Sequence, residues 1–194
     1  MKKRIADLVS NTLNPFFMSL GIIGLVSFAS APGTVSALKW ALLAVALSVL
    51  PVFLAIIYLV RKGKIDTIYT DARRQRTGIY LLAGLIAAAG GIILIYLGAP
   101  LMLRAAFLAG FSGAVIFTGI TWWWKVSLHT AMVAAAVTIL VILHGWLAVI
   151  AAVIVPLMAW ARVASDHHSP AQTVTGAILG ALVVILALYP FVSV

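Results

Sequence analysis

The sequence predicts an all-α, polytopic membrane bundle of seven transmembrane helices, six if the first apolar run does not cross, in a single integral membrane domain over residues 1–194. Three observations lead there. Hydrophobic residues make up 64% of the chain and charged residues 9%, against roughly half and about a quarter in soluble domains. Mean hydropathy is +1.20. The apolar runs reach the ~20 residues an α-helix needs to cross hydrocarbon, too long for the strands of an outer-membrane barrel. Such a chain cannot build a water-facing surface, which excludes a soluble enzyme, a disordered chain and a free nucleic-acid-binding domain. No nucleic-acid partner is expected despite the net charge of +9. The Lys and Arg residues gather at the ends of apolar runs, as topology determinants and contacts to anionic membrane lipids do. There is no cysteine, so disulfides, thiolate metal sites and Cys nucleophiles are excluded.

Each element follows in order. Lys2, Lys3 and Arg4 precede Ile5, Leu8, Val9 and Leu13 at helical spacing, which predicts a short interfacial helix. Residues 15–31 are apolar. The basic residues ahead of them and Ala29-Ser30-Ala31 imitate a secretory leader, but the run is read as the first membrane helix. Residues 37–60 form the second, with Pro51 as the expected kink. Residues 61–77 are the one long hydrophilic segment. Spans at 78–97 and 100–121 are separated by Gly98-Ala99-Pro100. Trp122, Trp123, Trp124 and Lys125 mark a headgroup level. Spans 126–145 and 147–162 turn near Gly145, and a polar segment 162–170 leads into the last span, 171–193, helical until Pro190. Gly176 and Gly180, with Ala131, Ala134 and Ala135, predict packing seams rather than chemistry.

The turns alternate in character. The segments 61–77, 122–125 and 162–170 fall on one membrane face, and the nearly uncharged turns at 32–36, 98–100 and 145–146 on the other. The excess of positive charge places the polar face in the cytoplasm of a cell-membrane protein, and Lys2-Lys3-Arg4 agrees. His129 lies one turn inside the fifth span on that face, and an ionisable residue there is a functional candidate by default. His144 is fifteen residues further, about 22 Å along a helix, and is read as structural. His167 and His168 follow Arg162 in the last polar segment. Two imidazoles and a guanidinium at one membrane level, with Lys64, Arg73, Arg74 and Arg76 able to join from the long loop, are an inventory for phosphoryl transfer. Arginine suits the role because its planar fork matches phosphate oxygens.

Arg162-Val-Ala-Ser-Asp-His-His168, then Ser169-Pro170-Ala171-Gln172 and the small-residue helix Gly176–Gly180, resembles the third signature of the type 2 phosphatidic acid phosphatase superfamily. Val126-Ser127-Leu128-His129 resembles its second. The resemblance covers about 70 residues of the C-terminal part, and implies a metal-independent membrane phosphatase that hydrolyses a lipid or polyprenyl (di)phosphate through a phosphohistidine, with no cofactor. It implies His168 as nucleophile and His129 as acid and then base. Arg162, Ser127, Lys64, Arg73 and Lys125 are the expected phosphate ligands, with Arg76 an alternative to Arg73. Val126 and Leu128 stand where the family has Pro and Gly, and Gln172 where it has the Asp that orients the nucleophile. Gln172 and Asp166 are therefore the expected orienting residues. Two alternatives remain open: a magnesium-dependent lipid or prenyl transferase using Asp66 and Asp71, and a lipid-binding relative without catalysis.

Overall fold

The computed structural model describes residues 1–67 and 72–191, with the backbone alone of Arg73. Asp71, and residues 192–194 at the end of the expected last span, lie outside the described residues. Nine α-helices account for most of what is described: α1 (Lys2–Thr12), α2 (Pro15–Ser30), α3 (Thr34–Leu47), α4 (Val49–Arg61), α5 (Arg73–Tyr96), α6 (Leu101–Thr121), α7 (Leu128–His144), α8 (Ile154–Ala164) and α9 (Pro170–Leu188). Short 3₁₀ segments, Trp146–Val153 and Tyr189–Phe191, precede α8 and follow α9.

Each expected apolar run is helical, but not all seven have the length and apolarity of a membrane span. Among the described residues, five helical stretches are long and apolar enough to span a membrane, and the α1–α2 pair, bent by 40°, makes a sixth if taken as one span. The α7 helix has 17 residues, about 25 Å, and falls short of the ~30 Å hydrocarbon core. The chain is a membrane protein by its long apolar helices, which carry rows of exposed Leu, Ile, Val and Phe.

Local chemistry explains the breaks. Asn14 caps α2, its Oδ1 accepting the N–H groups of Phe16 and Phe17 at 2.9 and 3.1 Å, with Pro15 at the first helical position. The α3–α4 break falls at Ser48 rather than at Pro51. Proline lacks the N–H that would bond the carbonyl four residues earlier and its ring crowds that carbonyl, so the distortion lands on the preceding turn. The Leu47 carbonyl packs against Gly90 of α5, where a Cβ would stand 2.9 Å from its oxygen. Gly33, Gly98 and Gly145 take left-handed φ of 79°, 69° and 74° at the turns after α2, α5 and α7.

The basic segment after α4 is shorter than expected because α5 begins at Arg73, inside it. Arginine is a good helix former, and its polarity alone did not mark a loop. The deep core gathers Val26, Leu94, Leu103, Ile139 and Leu188, all fully buried. A second, smaller cluster of Tyr80, Phe117, Val126 and Ala131 lies beneath the polar end.

A closely packed helix pair carries the site. A Cβ on Gly176 would run into the backbone of Ser127, and one on Gly180 into that of Ala131. The expected small-residue seam therefore joins α7 to α9 at backbone contact.

Candidate active site

His129, Arg162 and His168 come from α7, α8 and the turn before α9, and each is buried. They converge. The fields of Arg162, His168, His167 and Arg76 reach His129, and those of Arg162, Arg76 and Lys125 reach His168. This is the meeting of two imidazoles with a guanidinium that the sequence predicts.

The turn that presents His168 is built by α8 and α9 together. The Arg162 carbonyl accepts the N–H groups of both His167 and His168 at 3.2 Å. Ser169 then caps α9: its Oγ accepts the Gln172 N–H at 3.3 Å, and Gln172 Oε1 accepts the Ser169 N–H at 3.1 Å, a reciprocal capping box. Gln172 Oε1 also lies 3.0 Å from His168 Nδ1. The Gln172 carbonyl takes the Ser127 N–H at 3.2 Å, so one residue ties the His168 turn to the start of the helix that bears His129.

This geometry selects a tautomer. The Ser169 N–H identifies the Gln172 atom as oxygen, an acceptor only. Nδ1 of His168 must then be the protonated nitrogen, which leaves the Nε2 lone pair open. Burial pushes the His168 pKa from its ordinary 6.5 down to about 3; the hydrogen bond to Gln172 opposes that, while the Arg162, Arg76 and Lys125 cations add to it. The ring is neutral at physiological pH, with its Nδ1 held by Gln172.

Several expected site residues take other places. Asp166 does not orient His168. It has a left-handed φ of 59°, and its exposed carboxylate faces Lys3 at 3.7 Å. The left-handed turn swings the side chain outward, so Gln172 acts alone on Nδ1. Ser127 is fully buried as the α7 cap, its Oγ sharing a hydrogen bond with Thr130 Oγ1 at 2.9 Å and accepting the Thr130 N–H at 3.4 Å. Its hydroxyl is engaged by the helix it caps. A serine immediately before an apolar helical run is a cap signal, and that signal was present in the sequence. Lys64 is exposed in the turn after α4 and is not among the charges acting on either imidazole. The Arg73 side chain lies outside the described residues.

Arg76 is the cation that sequence reasoning underrated. It is 7% exposed, and its Nη2 donates to the Val126 carbonyl at 2.7 Å and to Tyr80 Oη at 2.8 Å. Arg76 and Tyr80 stand four residues apart on one face of α5, a spacing that only appears once the helix is extended back into the basic segment. His144 is exposed at the last residue of α7, at the far end from His129.

Asp66 is bonded to Gln75, accepting from its Nε2 at 3.1 Å. Among the described residues no group of three or more His, Asp or Glu side chains is placed to hold a metal ion. Comparisons with protein families, with curated proteins and with solved structures found no match for this chain.

Proposed function

We propose that the protein is a membrane-embedded phosphatase that hydrolyses a lipid or isoprenoid phosphate or diphosphate through a phosphohistidine, using side chains alone. The observation that carries this reading is the His168 ring, neutral and pinned through Nδ1, beside His129 and three cations.

The chemistry balances on these groups. Nε2 of His168 attacks phosphorus, forming a P–N bond as the P–O bond to the leaving alcohol breaks. His129, protonated once the anionic phosphate sits beside it, delivers its proton to the departing oxygen. Neutral His129 then takes a proton from water, the hydroxide attacks phosphorus, the P–N bond breaks, and phosphate departs with the Nε2 lone pair restored. Arg162, Arg76 and Lys125 neutralise the phosphoryl oxygens, in preorganised positions where such donors are most effective. The substrate arrives from the bilayer, since the short polar connections form no separate domain for a soluble one. By the positive-inside rule the site faces the cytoplasm of the cell membrane.

Rapid quench of the purified protein with a ³²P-labelled alkyl phosphate tests this. An acid-labile, base-stable label on the wild type, absent in His168→Ala, is the expected result. Full phosphate release by folded His168→Ala would overturn the assignment. In His129→Ala, an aryl phosphate, whose leaving group needs no proton, should label His168 and leave the label in place.

A further inference from the structure

A cavity of about 330 Å³, partly open to its surroundings, lies between the helices, lined by α2, α4, α5, α6, α7 and α9. Along α7 its walls run from Leu128 to Ile139, about 16 Å of helix. One end is Tyr80, whose hydroxyl is held by Arg76, so the cavity begins where the cationic cluster ends.

The walls suit an apolar guest. The polar side chains lining it are Ser19, Ser48 and Tyr80. Ser19 donates to the Pro15 carbonyl at 2.8 Å and Ser48 to the Ala44 carbonyl at 2.6 Å, so their hydroxyl hydrogens are engaged by their own helices. Water needs two to four polar partners to occupy a cavity, and these walls present few. The volume is at the low end for ligand pockets, and the space is drawn out along the bundle. Small residues such as Gly110 and Gly113 keep it open: a Cβ on Gly113 would have Val183 as its nearest neighbour at 3.9 Å, and one on Gly110 would have Ala87 at the same distance.

We propose that this cavity holds one apolar chain of the phosphate-bearing substrate, and that its depth past Gly113 sets the chain length the protein accepts. The substrate class is then a single-chain lipid phosphate, alkyl or isoprenyl. The second chain of a two-chain lipid would stay in the bilayer and add no recognition. The identity of the headgroup rests on the phosphatase reading; the chain site rests on the cavity alone.

The test is binding of non-hydrolysable single-chain alkylphosphonates, four to fourteen carbons long, to the full chain in nanodiscs, read as Kd. Wild type is compared with Gly113→Leu, whose side chain would enter the cavity about eight residues, or 12 Å, from the polar end of α6. Partition into the nanodisc is common to both proteins, so the ratio of their Kd values isolates the cavity. The expected ratio is near one for the shortest chains and grows about 4-fold for each methylene displaced, equivalent to about 0.8 kcal/mol, to at least tenfold for the longest. Gly110→Val, deeper in the cavity, should act only on longer chains still, and stands in if Gly113→Leu does not fold. A dialkyl glycerol phosphonate should gain from one chain only. A farnesyl ligand against a dodecyl one tells isoprenoid from straight-chain preference, and the proposal stands with either winner. A ratio independent of chain length in both variants, or equal gains from both chains of the two-chain ligand, would overturn it. Length-dependent binding without release of phosphate from the matching alkyl phosphates would leave the chain site standing and remove the phosphatase reading.

Discussion

Gln172 Oε1 stands 3.0 Å from His168 Nδ1 while accepting the Ser169 N–H at 3.1 Å. A neutral amide at this position holds the ring in one tautomer without supplying charge. Replacing it with leucine removes the acceptor for both donors. Gln172→Leu should lower kcat by about 10- to 100-fold, the range for losing the partner that orients a metal-bound imidazole, and should release the Nδ1–H signature in ¹⁵N-histidine spectra. Gln172→Glu keeps the capping box and adds an anion that raises the His168 pKa. Because the nucleophile must be neutral, that variant should lose kcat/KM at mildly acidic pH where the wild type does not. An unchanged pH profile would show that position 172 does not act on the ring.

Arg76 has a structural task as well as a place among the cations proposed to face the phosphate. Arg76→Met strips charged donors from the Val126 carbonyl and from Tyr80. With each charged hydrogen bond contributing about 1.5–3 kcal/mol, a loss of about 2 kcal/mol is expected, visible as a lower Tm of the purified protein. Arg76→Lys should recover part of it, since an ammonium reaches one acceptor but lacks the guanidinium fork.

The α7–α9 contact has no room for a side chain at Gly180. Gly180→Ala places a methyl group into the backbone of Ala131 and must push the two helices apart. Overpacking of this kind costs about 1–3 kcal/mol. It should also cut turnover by at least tenfold, because the movement separates His129 from the Gln172-bound turn. Gly119→Ala is the control. Nothing lies within 4 Å of its added Cβ, so Tm and turnover should be unchanged.

Acid should weaken the fold through His168. Its pKa is about 3 in the folded protein against an ordinary 6.5. Between these values the unfolded chain binds a proton that the folded chain does not, so stability rises with pH across that window. The contribution of the neutral ring is complete above about pH 6.5 and is lost as pH falls towards 3. Melting at pH 7 and pH 4.5 should show a drop that is smaller in His168→Asn, which carries no titrating ring. Equal drops in the two proteins would place the acid sensitivity elsewhere.

The fold was legible because hydropathy and punctuation act on the same residues. Asn14-Pro15, Gly98-Ala99-Pro100, Gly145 and Ser169-Pro170 each mark a boundary by backbone chemistry that needs no tertiary context. The convergence of His129, Arg162 and His168 was legible for a related reason: alternating helices return to the same face. Side-chain direction within the polar turns was not. Whether Asp166 faces His168 or Lys3 depends on one left-handed residue, and nothing in a string of letters reports that φ. Arg76 could not be separated from Arg73 because a run of arginines reads as a loop until the helix behind it is seen to continue. The cavity was invisible in the sequence, since an alanine facing a void and an alanine facing a neighbour look alike.

The amino-terminal helix α1 lies across α8, and its Asp7 Oδ1 accepts the Ser165 hydroxyl at 2.7 Å while Lys3 reaches Asp166. It thus braces the segment leading to His168 from outside the bundle. Affinity handles or fluorescent fusions attached ahead of Met1 would pull on that brace. A preparation made that way should be compared with one whose handle has been cleaved before any weak activity is ascribed to the protein itself.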